Sequence, residues 1–275
     1  MEKLYELLQF LFLGLFQGFT EPIPISSSGH LVMVKEIFGL SGQLQGLTFE
    51  VLVNFGSLIA VLIVYRKDLI RLIVNGTGYL LSKNRSEVQK DDFRFILYLI
   101  IGTIPAGVLG ILLEDWIEAT FGNTASFVGL MLIITGLALW VIRNLKGYKG
   151  DREIGWKEVL IVGLAQAVAL IPGISRSGAT IVAAMLIGWK QATALRFSFL
   201  LFIPVSLGTV VMSIGELIEL GVLSNNFIPY ALAFLGSVVA SYFALLWFMN
   251  IMAKGNLKYF SFYCFIVGAL AFIFL

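Results

Sequence analysis

Six apolar runs, at roughly 47–65, 95–113, 125–142, 197–215, 229–250 and 259–275, decide most of what this 275-residue chain can become. Each has about the 17–25 residues a helix needs to cross a hydrocarbon layer. Inside that layer every backbone N–H and C=O must be satisfied within the protein, so such runs fold as helices. Composition agrees. The chain is 59% hydrophobic and 13% charged, whereas a soluble domain carries about 25% charged residues. The fold class is an all-α polytopic membrane protein, read as a single integral membrane domain over 1–275. The net charge of +2 excludes little, because membrane proteins use charge by position. Cys264 is the one cysteine, which rules out an intrachain disulfide and a metal–thiolate cluster. The stretch Leu4–Phe16 has no basic flank beyond Lys3 and no small-residue cleavage site, so it reads as mature structure.

Two further segments, 4–40 and 155–189, are apolar but broken. The first is interrupted by Pro22, Pro24, Ser26–Ser28 and Gly29, the second by Pro172, Gly173, Ser175–Ser177 and Gly178. The apolar stretches that follow, about 31–39 and 180–188, would rise only about 14 Å as helices. That is half a bilayer, so both segments are predicted to be re-entrant helical hairpins with their breaks near the membrane interior. Irregular backbone at that depth must be buried in protein or line a polar cavity.

The broken segments are copies of one element. Shifting QAVALIPGISRSGA (166–179) back by 149 positions puts Gln166 on Gln17, Ser175 on Ser26, Ser177 on Ser28 and Gly178 on Gly29. At an offset of 148, Leu195–Leu217 aligns with Leu47–Leu69. The chain therefore divides into halves of about 1–147 and 155–275, each with one hairpin and three spans. Three is odd, so the second half enters with opposite orientation, giving an inverted-topology repeat. The segments 66–94 and 143–157 are rich in Lys and Arg, whereas the loops 114–124 and 214–228 carry Glu114, Asp115, Glu118, Glu216 and Glu219 with no Lys or Arg. The positive-inside rule puts the basic segments in the cytoplasm and the acidic loops outside. Both termini then lie outside, and the two hairpins dip in from opposite sides so that their tips can meet.

The copies differ in their ionisable residues. Glu21 and His30 face Leu170 and Ala179, and Arg176 faces Ser27. Ionisable side chains at membrane depth are rare and mark function by default. Gln17 and Glu21, four apart on one helix face, can hold a divalent cation through oxygens, or one can orient a base. Ser26, Ser27 and Ser28, with Ser175 and Ser177 in the other copy, stand at the starts of the second half-helices. There they can cap and pack the helices or, with the free N–H groups and positive dipole, hold phosphate. Thr180 adds a hydroxyl one residue past the second motif. Arg176 offers a bidentate fork to phosphate. Ser27 is the candidate nucleophile, because it matches Arg176 in the repeat and would face it across one phosphate. His30, three residues on, is placed to take the serine proton or protonate the leaving oxygen. A metal-bound water attacking in place of Ser27 is the alternative. Glu50, Lys190 and Arg196 are weaker candidates, the last two at the cytoplasmic interface. No Walker A, Rossmann, HExxH or nucleic-acid motif is present.

These residues carry a resemblance. QGFTE (17–21) resembles the (E/Q)xxxE motif of the bacterial undecaprenyl-diphosphatase family, also called the bacitracin-resistance proteins. PGISRSGAT (172–180) is similar to that family's PGxSRSxxT motif, and SSSGH (26–30) to its serine–histidine segment. Gln17 stands where many members have Glu, a variant the motif allows, which leaves one carboxylate at the pair. The resemblance implies a membrane phosphatase that converts undecaprenyl diphosphate to the monophosphate outside the cytoplasmic membrane. It thereby implies recycling of the lipid carrier of peptidoglycan, bacitracin resistance, and dependence on a divalent cation, Mg²⁺ or Ca²⁺, with Glu21 and Gln17 as candidate ligands. The expected partners are the polyprenyl diphosphate and the bilayer, with no nucleic acid, and the assembly is left open between monomer and homodimer.

Two rivals stand beside this reading. A lipid flippase or transporter would share the inverted repeat, but a carrier needs only binding groups, not a nucleophile with proton carriers. The type 2 phosphatidic acid phosphatase chemistry uses two histidines, and this chain has one. The charge asymmetry generates a direct test of topology. In a Cys264→Ser background, a cysteine at Asn225 is expected to react with an impermeant thiol reagent applied to intact cells, and one at Asn84 to stay unlabelled. Labelling at Asn84 overturns the orientation.

Overall fold

Helices account for the architecture in the computed structural model, which describes residues 2–39, 47–121, 124–219 and 227–275. In chain order these are α1 (Glu2–Thr20), α2 (Ser27–Ile37), α3 (Leu47–Val64), α4 (Arg66–Leu81), α5 (Glu87–Phe121), α6 (Ala125–Ile142), α7 (Trp156–Val168), α8 (Arg176–Leu186), α9 (Gln191–Glu219), α10 (Phe227–Ala253) and α11 (Lys258–Phe274). Among the described residues the one β-type pairing is an isolated bridge between Lys149 and Trp189.

Taken singly, four helices are long and apolar enough to cross a bilayer: Glu87–Leu113 of α5, α6, Gln191–Gly215 of α9, and α10. The pair α3–α4 adds a fifth if counted as one span, but it is bent by 74° at Tyr65. At 17 residues, α11 is a shorter apolar helix. The outer surface is apolar. Leu8, Phe12, Leu15 and Phe19 of α1 and Ile266, Leu270 and Ile273 of α11 are all exposed. Exposed apolar area on this scale has lipid as its natural solvent, as befits a multi-pass membrane protein.

Several boundaries differ from the sequence-based expectation. The short helices after the breaks begin four residues earlier than expected, at Ser27 and Arg176. The reason is capping: the Ser26 and Ser175 hydroxyls accept from the N–H groups of Gly29 and Gly178, so the SSGH and RSGA turns are already helical. The expected loop 114–124 is helical to Phe121, and 214–219 continues α9. The side chains of Glu114, Asp115, Glu118, Glu216 and Glu219, and Asn225 altogether, lie outside the described residues.

Packing follows a paired pattern. α1 runs along α10 and α7 along α5, α3 crosses α10 as α9 crosses α5, and α6 pairs with α11. Exchanging α1, α2, α3, α5 and α6 with α7, α8, α9, α10 and α11 carries these pairings into one another. Glycines set the closest approaches. A Cβ on Gly14 would lie 2.1 Å from the Ala233 carbonyl oxygen, and one on Gly163 would lie 2.5 Å from that of Gly102. Lipid tails are as apolar as leucine, so helices in a bilayer associate through such backbone contact rather than through hydrophobic exclusion.

At one end of the molecule the charged segments are tied together. The Arg196 guanidinium forks onto Asp68 through Nε and Nη2, at 2.5 and 3.1 Å, and pairs with Asp151. Arg152 Nε meets Asp91 at 3.0 Å, and Arg71 Nε meets Asp92 at 3.3 Å. The basic segments 66–94 and 143–157 therefore share one side of the fold, with Arg196 between them.

The α1–α10 crossing predicts a sharp asymmetry between two glycines. Gly14→Ala must force backbones apart and is expected to cost about 1–3 kcal/mol. Gly208→Ala meets nothing within 4 Å and is expected to be neutral or slightly stabilising. Thermal unfolding of both variants in detergent checks this, and equal melting temperatures would contradict the packing account.

Candidate functional site

The two breaks meet. A Cβ on Gly29 would lie 3.1 Å from Gly173 Cα, and both glycines press against Val128 of α6. Gly173 has φ +91°, the left-handed region that suits glycine, and its neighbours leave no room for a side chain. Ser26 is the one described non-glycine residue with positive φ, at +64°. Its counterpart Ser175 has φ −71°. A serine held in that region stores local strain, and here the strained turn caps α2 and aims the Ser26 carbonyl at His30.

Glu21 is the hub of the junction. It closes α1, its N–H bonding to the Gln17 carbonyl at 2.9 Å. Its Oε1 accepts from Arg176 Nη2 on α8, and its Oε2 accepts from the Ser27 hydroxyl on α2. Gln17 Nε2 donates to the same Oε2 at 3.2 Å and to Asn54 Oδ1 of α3 at 3.0 Å. Gln17 is buried, and its Oε1 has no hydrogen-bond partner among the described residues. The Arg176 guanidinium stacks on Phe202, 3.9 Å from the ring centroid. The carboxylate thus joins the first residue of each short helix, and both hairpins, through its two oxygens.

A narrow cleft opens beside this junction, lined by the polar Glu21, Arg176 and Ser177 and by the apolar Val61, Phe199 and Phe202. The N–H groups of Ser27, Ser28, Arg176 and Ser177 have no intrahelical acceptor by position, whereas the caps take up those of Gly29 and Gly178. Two helix starts with positive dipole ends, a guanidinium and a serine hydroxyl suit an anion with several oxygens.

The site expected from the sequence is only partly assembled. Gln17, Glu21, Ser27 and Arg176 come together, and Ser177 joins them at the cleft. Ser28 is half-buried next to Ser27. Ser26 and Ser175 are buried caps, so their hydroxyls serve the helices. Thr180 is buried, bonds back to the Arg176 and Ser177 carbonyls, and lies 2.6 Å from Ser198 Oγ, which leaves nothing for phosphate. His30 departs most. Its Nδ1 faces the Ser26 carbonyl at 2.8 Å and therefore carries the proton, and Nε2 accepts from the Tyr263 hydroxyl at 2.8 Å. The ring stacks on Tyr263, with centroids 5.5 Å apart. Both nitrogens are thus engaged away from Ser27 and Glu21, because a residue in the first full turn of α2 folds its ring back over the carbonyl four residues earlier. Glu50 pairs with the buried Lys35 at 3.0 Å, linking α2 to α3 apart from the cleft.

Asn54 and Tyr263 went unread in the sequence. The rule that singled out Glu21, a polar group inside an apolar run, also applies to Asn54. No sequence signal distinguishes Tyr263 from the other aromatic residues of α11.

Comparison with known proteins agrees on one family. Residues 10–270 match the family described as "Bacitracin resistance protein BacA". The chain is similar to "Undecaprenyl-diphosphatase 2" of Bacillus thuringiensis (strain Al Hakam), 58% identical over 275 residues and covering 100% of both chains. It is 57% identical over 268 residues to "Undecaprenyl-diphosphatase 1" of Bacillus licheniformis, covering 98% of each. Against "Undecaprenyl-diphosphatase" of Oceanobacillus iheyensis it is 52% identical over 275 residues, 100% of this chain and 98% of the relative.

The strained cap gives a prediction that its repeat counterpart controls. Ser26→Gly relieves the positive φ, an effect on the order of 1 kcal/mol, and loses only a few tenths as a cap. It is expected to raise the melting temperature in detergent. Ser175→Gly has no strain to relieve and is expected to lower it slightly. The same sign at both positions would mean that Ser26 is not strained.

Proposed function

The chain belongs to the bacitracin resistance protein BacA family, and from that premise we propose that it is an undecaprenyl-diphosphate phosphatase. It hydrolyses the lipid diphosphate to undecaprenyl phosphate and inorganic phosphate, recycling the carrier for cell-wall synthesis and conferring resistance to bacitracin. The observation that carries the mechanism is the Glu21 carboxylate shared between Ser27 and Arg176. A carrier would need the guanidinium and the helix starts but has no use for a serine hydrogen-bonded to a carboxylate.

In this reading the diphosphate enters the cleft and its terminal phosphate takes the Arg176 fork, with the N–H groups of both helix starts as further donors. Glu21 Oε2 accepts the Ser27 proton as Oγ attacks the terminal phosphorus. The bond from that phosphorus to the bridging oxygen breaks, and the proton passes from Glu21 to the departing lipid phosphate. Water, deprotonated by Glu21, then attacks the phosphoserine phosphorus; the bond to Ser27 Oγ breaks, Glu21 returns the proton to that oxygen, and inorganic phosphate is released. Arg176 and the N–H groups stabilise the charge on the phosphoryl oxygens throughout. His30 is a positioning residue that holds the Ser26 carbonyl, and hence the start of α2. The cleft is narrow, so the headgroup enters with the lining side chains moving apart. The apolar wall of Val61, Phe199 and Phe202 receives the first isoprene units.

Among the described residues no group of three or more His, Cys, Asp or Glu side chains could hold a metal ion, so the divalent cation implied by the family would rest on few protein donors. The partnerless Gln17 Oε1 and the Glu21 carboxylate are hard oxygen donors, and these two residues would hold Mg²⁺ or Ca²⁺. When bound, such an ion neutralises charge on the diphosphate.

For the membrane arrangement we infer six spans and two re-entrant hairpins, α1–α2 and α7–α8, in an inverted repeat. The exchange symmetry of the packing supports it. Following the family, we propose that the substrate reaches the site from the outer side of the cytoplasmic membrane.

Phosphate release from undecaprenyl diphosphate by the purified protein tests the mechanism. Ser27→Ala and Glu21→Gln are each expected to lower kcat/KM by roughly 100-fold or more, and the double variant to lose little beyond either, because they act as one unit. Arg176→Lys is expected not to rescue what Arg176→Ala loses, since an ammonium lacks the fork. His30→Ala and Tyr263→Phe are expected to be milder. EDTA is expected to stop turnover, and Mg²⁺ or Ca²⁺ to restore it. Substantial turnover by Ser27→Ala eliminates the phosphoserine route in favour of direct attack by water.

A further inference from the structure

Helix α4 has three faces, although a span or a soluble helix would have two. At 100° per residue, Leu69, Leu72, Gly76 and Tyr79 form one arc. Leu72 and Gly76 are buried there, and Tyr79 stacks on Phe93 of α5 at 4.9 Å. A second arc holds Ile70, Ile73, Val74, Leu80 and Leu81, between 60% and 86% exposed. The third holds Asp68, Lys67, Arg71 and Asn75. The bend of 74° from α3 turns α4 nearly perpendicular to a helix that runs with the bundle. A solvated helix would not leave the second arc bare, and a spanning helix would not carry the third.

We propose that α4 lies in the plane of the membrane interface and selects anionic phospholipid headgroups. Its apolar arc enters the outer acyl region and its polar arc stays at headgroup level, the geometry of interfacial amphipathic helices. Charge supplies the selectivity. Arg71 is neutralised by Asp68 and Asp92, and Lys90 by Glu87. Lys67, Lys83 and Arg85 are exposed and have no carboxylate partner among the described residues, and Arg85 is held over the Tyr79 ring at 4.7 Å. With Arg66, which among the described residues bonds only the Ile63 carbonyl, four uncompensated cations flank the embedded helix, two at its start and two just past its end, and complement phosphatidylglycerol-type headgroups. The inference rests on the membrane reading of the chain and is independent of the phosphatase reading.

The test uses the full chain with Cys264→Ser and single fluorophore-labelled cysteines at Ile70, Val74, Leu81 or Lys67, in vesicles of phosphatidylcholine and phosphatidylglycerol. Quenchers placed at shallow or deep acyl positions read depth, and aqueous iodide reads exposure. Ile70, Val74 and Leu81 are expected at one shallow depth, and Lys67 within reach of iodide. Depth that changes steadily from Ile70 to Leu81 would mean that α4 continues a span. Iodide quenching at all four positions would mean that it lies in water. Either result overturns the proposal. For selectivity, quenching of the Val74 probe by labelled phosphatidylglycerol is compared with labelled phosphatidylcholine at equal mole fraction. The triple variant Lys67→Gln, Lys83→Gln, Arg85→Gln is expected to lose about threefold or more of any preference, with the effect larger at low salt. Circular dichroism confirms that the variant is folded. An unchanged preference in the folded variant overturns the selectivity.

Discussion

The carboxylate of Glu21 holds the centre of this molecule together. One oxygen receives the guanidinium of the second hairpin, and the other receives the hydroxyl of the first. Neither charge could remain alone at this depth. Removing one partner of a buried ion pair typically costs about 3–5 kcal/mol, because the other is left without compensation. The pair therefore locks two otherwise irregular segments tip to tip. In the proposed mechanism a phosphate would offer Arg176 a second anionic partner and free Glu21 to accept a proton. One electrostatic requirement thus serves both stability and chemistry.

Everything around the pair is arranged to make irregular backbone tolerable inside a bilayer. Ser26 and Ser175 cap the short helices, Thr135 reaches the Gly173 carbonyl at 3.4 Å and receives the Ser175 N–H at 3.3 Å, and α6 closes over both breaks. Farther out, Ser57, Ser237 and Ser241 share hydrogen bonds across α3 and α10, and Ser241 reaches the Gly18 carbonyl of α1 at 2.8 Å. This polar seam ends one residue from Gln17. It ties the scaffold of the first hairpin to helices that leave its apolar face to lipid. Charges that would be costly at depth are collected instead at one end, around Arg196 and its carboxylates.

The phosphatase reading also explains why the two copies of one element no longer match. A symmetric pair of hairpins could grip an anion but could not do chemistry on it. The asymmetry lies in the positions at the junction: a carboxylate and a hydroxyl from one side, a guanidinium from the other. The paired serine caps and the glycines at the breaks remain alike because both copies face the same backbone problem.

The sequence by itself determined the class of fold, the two broken segments and the group of residues at their tips. Each of these follows from a local rule: the length of an apolar run, the need to satisfy backbone groups in hydrocarbon, and the cost of an ionisable side chain at depth. Gln17, Glu21, Ser27 and Arg176 were legible for that reason. Tertiary structure alone decided what each polar group is bonded to. His30 looked like the partner of Ser27 by spacing, but its ring turns to the Ser26 carbonyl and Tyr263, a residue 233 positions away. Thr180 looked like a phosphate ligand, but it spends its hydroxyl on Ser198 and its own helix. Helical spacing sets which face a side chain leaves from, whereas the direction of its hydrogen bonds depends on neighbours that distant segments bring. The sharp turn into α4 belongs to the same category. Its residues are readable as amphipathic, but the packed face against α5 separates the lipid-facing arc from the polar one, and that division exists only once the helices have come together.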